Sequence, residues 1–487
     1  MDSGTNTTVT TTAGEVRGRV EDGVARYLGV PYAAAPFGEH RFRPPAPVSW
    51  GGVRDALEHG PTPPKLPYPE LLAALLPEPF VAGEEILNVA VWAPEGAAGA
   101  PVMVFFHGGA FTNGSNAVPV YDGTAFARAG VVLVSVNYRL GAEGFLHLPG
   151  VPANRGLLDQ IAALRWVRDN ISAFGGDPGA VTVFGESAGA MGIATLMAMP
   201  AAEGLFQRAI LQSGAGHHTH QPATAALVAA ELADAVGVPV EELAGVAPER
   251  LLAGQAELLE RFQTDPRPER WGESARSALL FAPVVDGESL PAPAIERIAA
   301  GAGRDVDVLV GANRDELLLF LVPFGAVDVI GEDAVAAVAA QYGLPDGAVD
   351  RYRANRPGAG AGHLYSDIAT DSAYRIPAVR LAEAHGRAHV YEFAWSSAAF
   401  DGRLGACHAL ELPFVFGTFA SSPEITGPNP PDELADAMRT AWVAFAASGD
   451  PGWPRYGSER AVRTFGETPD TVLDPRADLR ELWDGIR

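Results

Sequence analysis

Long apolar runs of strand length alternate with stretches of helical spacing through the first two hundred residues. Pro101–His107 (PVMVFFH) and Val131–Tyr138 (VVLVSVNY) are almost unbroken apolar segments, and Ala180–Phe184 is a third. Continuous rather than alternating runs predict strands buried on both faces. Gly156–Asn170 instead places Leu157, Ile161, Leu164 and Val167 three or four residues apart, and Ala188–Met199 follows the third run as another helix. Further on, Gln221–Glu260 is alanine- and leucine-rich and reads as helical. Val306–Gly311 and Ala388–Phe393 read as strands, and Asp432–Ser448 as a late helix. Strands alternating with helices predict an α/β fold with a mostly parallel central sheet covered on both faces. No internal repeat or low-complexity linker interrupts the chain, so residues 1–487 are expected to form one domain with helical and loop insertions. The proline-rich stretch Gly60–Gly83 reads as a surface loop near the rim of a site.

Composition narrows the function. The chain is 47% hydrophobic and 19% charged, a globular balance, and its net charge of −24 argues against a nucleic-acid partner. No apolar run is long enough to span a bilayer. The start, MDSGTNTTVTTTAGEV, has neither the basic nor the apolar region of a secretory signal, so a cytoplasmic location is expected. Cys407 is the only cysteine; it excludes an intramolecular disulfide, fits a reducing compartment and reads as a small buried side chain rather than a nucleophile. Lys65 is the only lysine, which reads as coding bias of a GC-rich bacterium with no mechanistic content.

Candidate chemistry begins at Ala180–Ala190 (AVTVFGESAGA). Gly185, Ser187 and Gly189 form G-x-S-x-G between a predicted strand and a predicted helix. In that context a nucleophile stands on a sharp turn, with glycines admitting close backbone approach and a helix N-terminus aimed at developing negative charge. Upstream, the strand at Val102–Phe106 ends in His107-Gly108-Gly109-Ala110-Phe111, whose amides are suited to stabilising an oxyanion. A serine nucleophile needs a base and an orienting carboxylate, in the order Ser, acid, His. Ala312-Asn313-Arg314-Asp315-Glu316 follows a strand, and either Asp315 or Glu316 could be the acid. Among later histidines, His408 in GACHALELPFVFG has the loop context of a base; His389 falls inside a strand, and His363 and His385 lie among polar residues. His217, His218 and His220 lack a nearby carboxylate or cysteine at ligand spacing, so they read as a loop lining the approach and not as a metal site.

These segments together resemble the type-B carboxylesterases, which include cholinesterases and bacterial para-nitrobenzyl esterases. The resemblance runs from Ala13 to about Gly466 and rests on GVPYAAAPFGEHRFRPPAPVSWGGVRDA, NYRLGAEGF, Asn154–Ala190, FAPVVDG, GANRDE, GACHALELPFVFG and AWVAFAASGDP. It implies the α/β-hydrolase fold and a serine carboxylic-ester hydrolase that works through an acyl-enzyme with no cofactor or metal. By this resemblance Ser187 is the nucleophile, Glu316 the acid and His408 the base. The oxyanion amides fall on Gly109, Ala110 and Ala188. Ser213 is a supporting serine near the base, Asp371 a buried structural carboxylate, and Glu186 the glutamate before the nucleophile, facing the gorge. The family's loop-closing cysteines fall on Thr62 and Ile86, and the loop holds no tryptophan to stack on a quaternary ammonium, so neutral, largely apolar esters are expected over choline esters. Leu71, Leu72, Leu75, Leu76 and Phe80 would give that loop a greasy rim. The expected partners are a small ester and water. Amide, carbamate or lactone hydrolysis by the same residues, and a non-catalytic binding member, are the alternative readings.

Overall fold

The apolar runs form the strands expected of them. In the computed structural model, which describes residues 4–486, Ala100–Phe106 (β6), Val132–Val136 (β7) and Gly176–Glu186 (β8) pair in parallel with β6 in the middle. The side chains of Val102–Phe106 are wholly buried, as continuous hydrophobicity requires. The described chain gathers into two compact units. One holds the residues up to Pro67, Glu78–Ile210 and Gly216–Val306; the other holds Tyr68–Pro77, Leu211–Ala215 and the residues from Asp307 onward.

In the first unit the strand order is β1-β2-β3-β5-β7-β6-β8, where β1 is Thr5–Thr10, β2 Glu15–Glu21, β3 Val24–Pro31 and β5 Asn88–Pro94. A short β4 (Val53–Asp55) lies parallel to β2. The pairs β1–β2, β2–β3, β3–β5 and β5–β7 are antiparallel, so the expectation of a mostly parallel sheet holds for the β6–β8 region and the sheet is mixed. The threonine-rich start is an edge strand of β-branched residues with mainly exposed side chains. Helices Arg155–Asn170 and Ala188–Ala198 pack on β8. A buried ion pair ties the first of them to the segment after β7: Arg139 meets Asp159 at 2.7 Å, and the Arg139 amide donates to the same carboxylate at 3.0 Å.

Gln221–Glu260 is two helices, Pro222–Val236 and Pro248–Thr264, rather than one helical stretch. Gly237 ends the first in the left-handed region (φ 73°) with its amide bonded to Ala233 O, and proline at the first position starts the second. Gly60–Gly83 is not all loop, because Glu70–Leu75 is a short helix. Leu72 and Leu75 are buried, which narrows the expected apolar rim to Leu71 and Phe80, exposed by 50% and 72%. Where relatives were expected to carry a cysteine pair, Thr62 and Ile86 are buried, and Thr62 closes the segment by backbone pairing: its amide donates to Val81 O (3.0 Å) and its Oγ1 accepts from Val81 N (3.1 Å).

In the second unit Asp307–Asn313 (β10), His389–Phe393 (β11) and Ala461–Phe465 (β12) run parallel, and Asp470–Leu473 (β13) pairs antiparallel with β12. The late helix Asp432–Ser448 has the bounds its periodicity predicts. Asp371 opens a π-wound turn before the helix Ile376–His385, where Pro377 lacks the amide that regular winding would use. Asp371 is buried and ion-paired with Arg375, and it accepts from Tyr352 Oη at 2.6 Å; Trp483 Nε1 donates to that hydroxyl at 2.9 Å. Among the described residues no helix is long and apolar enough to cross a membrane.

Candidate active site

Strand β8 ends at Glu186 and the helix Ala188–Ala198 begins two residues later, which leaves Ser187 alone on the turn. Its φ of 53° and ψ of −123° lie outside the usual regions for an L residue, the strained backbone expected at a nucleophile elbow. The flanking glycines are there because the end of β6 crosses them. A Cβ on Gly185 would stand 2.6 Å from Phe106 O, and one on Gly189 only 1.9 Å from the same oxygen. Ser187 is 8% exposed, and Ala188 contributes the first amide of the helix.

The loop after β6 carries three left-handed residues in succession: Gly109 (φ 111°), Ala110 (53°) and Phe111 (60°). Gly109 O accepts from the amides of Thr112 and Asn113 at 2.9 and 2.8 Å, and Phe111 O accepts from Gly141 N at 2.7 Å. His107 anchors its start. Tyr138 stacks on the imidazole with ring centroids 4.6 Å apart, and Tyr138 Oη donates to His107 O at 2.7 Å. Complete burial lowers the His107 pKa to about 3, so the ring is neutral. Glu186, before the nucleophile, is buried, and its Oε2 lies 2.5 Å from where a Cβ on Gly108 would be, so it lies close against the start of the loop.

In the second unit the two neighbouring carboxylates have different partners. Glu316 Oε2 lies 2.6 Å from His408 Nδ1, and Glu316 Oε1 accepts from the Asn313 amide at 2.8 Å. Asp315 accepts instead from the Ala406 amide (3.0 Å) and from Arg356 (2.8 Å). Tyr374 and Phe320 flank the His408 ring at 4.9 and 5.6 Å between centroids. Ser213, after strand Arg208–Gln212 (β9), is fully buried with φ 52°, and its amide donates to Gly311 O.

A buried polar chain behind the Glu316–His408 pair was not anticipated. Asn313 Nδ2 donates to Cys407 O (2.8 Å) and to Glu411 (2.6 Å), Gln212 donates to Glu411 (3.0 Å), and Trp442 Nε1 donates to Gln212 (3.0 Å). The asparagine of GANRDE and the glutamate three residues after His408 were the available signals. Cys407 is buried, and its desolvated thiol is pushed well above the usual range, as expected of an inert side chain. Within the histidine cluster, His220 is buried in a bridge to Val284, near Ser274 Oγ at 3.5 Å, and burial lowers its pKa to about 4. Among the described residues no three His, Cys, Asp or Glu side chains gather as metal ligands.

A serine on a strand–helix elbow, a glycine loop ending the neighbouring parallel strand and a Glu–His pair on loops further along the chain define an α/β-hydrolase of the serine type. The chain belongs to the carboxylesterase family, whose sequence model matches residues 5–474, and it is a serine ester hydrolase. It is 38% identical to the para-nitrobenzyl esterase of Bacillus subtilis (strain 168), with 98% of each chain aligned. It is 35% identical to the phenmedipham hydrolase of Pseudarthrobacter oxydans, over 94% of each. Among solved structures, a para-nitrobenzyl esterase superposes with a TM-score of 0.84 at 36% identity, covering 98% of this chain and 99% of that one. A Geobacillus stearothermophilus carboxylesterase does so with 0.84 at 34%, covering 98% and 100%.

Proposed function

We propose that Ser187 is the nucleophile of this esterase, His408 its general base and Glu316 the carboxylate that orients the base. The observation that carries the reading is the 2.6 Å contact between Glu316 Oε2 and His408 Nδ1, which leaves Nε2 as the nitrogen able to take a proton. Ser187 Oγ attacks the ester carbonyl while His408 takes its proton. The amides of Gly109, Ala110 and Ala188 donate to the oxyanion. His408 then protonates the leaving alcohol, and Glu316 stabilises the imidazolium. Water, deprotonated by His408, releases the acid and restores Ser187. Ser213 supports the base, Asp371 is a structural carboxylate, and no step calls for a cofactor or metal. The uninterrupted family match supports reading the chain as one catalytic domain, and the free, buried Cys407 fits a cytoplasmic enzyme.

A fluorophosphonate should label the protein once, at Ser187, and Ser187→Ala should abolish both labelling and ester hydrolysis. A folded Ser187→Ala variant that keeps more than about a hundredth of the activity overturns the assignment.

We further propose neutral, largely apolar esters as substrates. The support is the absence of tryptophan between Trp50 and Trp92 and the exposed Leu71 and Phe80. The kcat/KM for an uncharged butyrate ester should exceed that for butyrylcholine in physiological salt. A tenfold preference for the choline ester would refute the substrate class.

A further inference from the structure

The only lysine of the sequence is buried beside the loop that follows β6. Lys65 and Glu78 face each other at 3.2 Å with side chains 5% and 8% exposed. Both reach the end of the 107–114 loop. Lys65 Nζ donates to Gly114 O at 3.0 Å. The Glu78 carboxylate accepts from the Gly114 amide through one oxygen and from Asn113 Nδ2 through the other, the latter at 3.0 Å; Asn113 Nδ2 also donates to Leu66 O at 2.8 Å.

We propose that Lys65 and Glu78 are a positioning pair that holds this loop so that the amides of Gly109 and Ala110 stay aimed at the oxyanion. The inference rests on the proposed roles of those amides. Three consecutive left-handed residues, two of them not glycine, persist only where their surroundings fix them. The loop's start is fixed by Tyr138 and its middle by the Phe111–Gly141 bond. Its end at Asn113 and Gly114 has the Lys65–Glu78 pair. Motion there passes directly to the site, because Asn113 N bonds Gly109 O and Gly114 packs on the start of the loop. A Cβ on Gly114 would lie 2.2 Å from His107 Nδ1 and 2.4 Å from Gly108 O. The chemistry explains the charges. One carboxylate must accept two N–H groups in a nearly dry position, and a buried carboxylate needs a cation. Lysine supplies a compact charge that also caps a carbonyl, which the wide planar fork of arginine would not fit in the same way.

The test compares Lys65→Met, Glu78→Gln and Glu78→Asp with the wild type on a neutral ester, below the melting temperature of each. We expect kcat to fall about ten- to a hundredfold with KM within about twofold, a smaller loss than removal of a whole oxyanion donor gives. Inhibition by a trifluoromethyl ketone, whose tetrahedral adduct needs the same amides, should weaken by the same factor. A variant that melts earlier but keeps kcat and ketone affinity within twofold of wild type reduces the pair to a fold-stabilising contact and overturns the proposal. Should the uncharged variants fail to fold, Glu78→Asp decides. It keeps the charge but withdraws the carboxylate by one methylene, and wild-type kcat in it overturns the proposal. If Ser187→Ala abolishes activity while Glu78→Asp preserves it, only the positioning role falls; if Ser187→Ala stays active, the reading beneath it falls as well.

Discussion

Asp315 and Glu316 are neighbours in sequence with different partners in space. Glu316 meets His408, whereas Asp315 bonds the Ala406 amide and Arg356 and so shapes the loop that carries His408, the proposed base. Glu316→Gln should therefore lower kcat by about three to four orders of magnitude, as expected when the orienting acid of a triad can no longer stabilise the imidazolium. Asp315→Asn should cost less than about tenfold in kcat and appear mainly as a lower melting temperature, since a part-buried Arg356 loses one of its two carboxylates. Steady-state kinetics and melting curves on both variants check this, and a kcat loss at Asp315 equal to or larger than that at Glu316 would overturn the choice of Glu316. The candidate residues themselves were legible in the sequence, because GESAG, HGGAF, GANRDE and the His408 loop are local patterns. The choice between Asp315 and Glu316 was not, since adjacent carboxylates differ only by their partners, and the resemblance had to supply it. The Asn313–Glu411–Gln212–Trp442 chain was also hidden, because it joins residues far apart in sequence: Gln212 and Glu411 are 199 positions apart.

At the scale of elements, hydrophobic continuity was the readable signal. β7, and β6 and β8 from Val102 and Val181 onward, are buried on both faces and announce themselves as apolar runs, and the helix at Asp432–Ser448 does so by its period. The antiparallel strands β1 and β2 went unread because they are rich in threonine, arginine and glutamate and are mostly exposed or only partly buried, so neither reads as an apolar run. The break at Gly237 was readable from its glycine and following proline but lost in the alanine-rich composition around it. The elbow depends on β6 crossing close to the helix that follows Ser187, with no room for a methyl group at Gly189. Gly189→Ala should consequently yield insoluble or unfolded protein, and a soluble variant with wild-type melting would show that the crossing can widen. The tie between β7 and the Arg155–Asn170 helix is similarly unforgiving. Asp159→Asn leaves Arg139 buried without its counter-charge, and urea titration should show a loss of about 3–5 kcal/mol.

For the whole molecule, acidity is the readable stress. His107 and His220 have folded pKa values lowered by burial to about 3 and about 4, from an ordinary 6.5. The unfolded chain takes up protons there that the folded chain refuses, so their contribution to stability is complete above pH 6.5. It declines as the pH falls and is gone below the folded values. Urea titrations between pH 7 and 4 should show falling stability, with a shallower slope in His220→Gln once its own loss is subtracted; an unchanged slope would mean that His220 titrates normally. The sealed Lys65 has a separate use. In a chain whose other permanent cations are all arginines, it is the single side chain that amine-directed reagents can acylate. While its pocket stays shut the ε-amine is shielded, and each opening exposes one target. The mass shift on one peptide, followed over time with a succinimidyl ester, would then clock how often the wall behind the Gly109 and Ala110 amides opens, with no probe engineered into the protein.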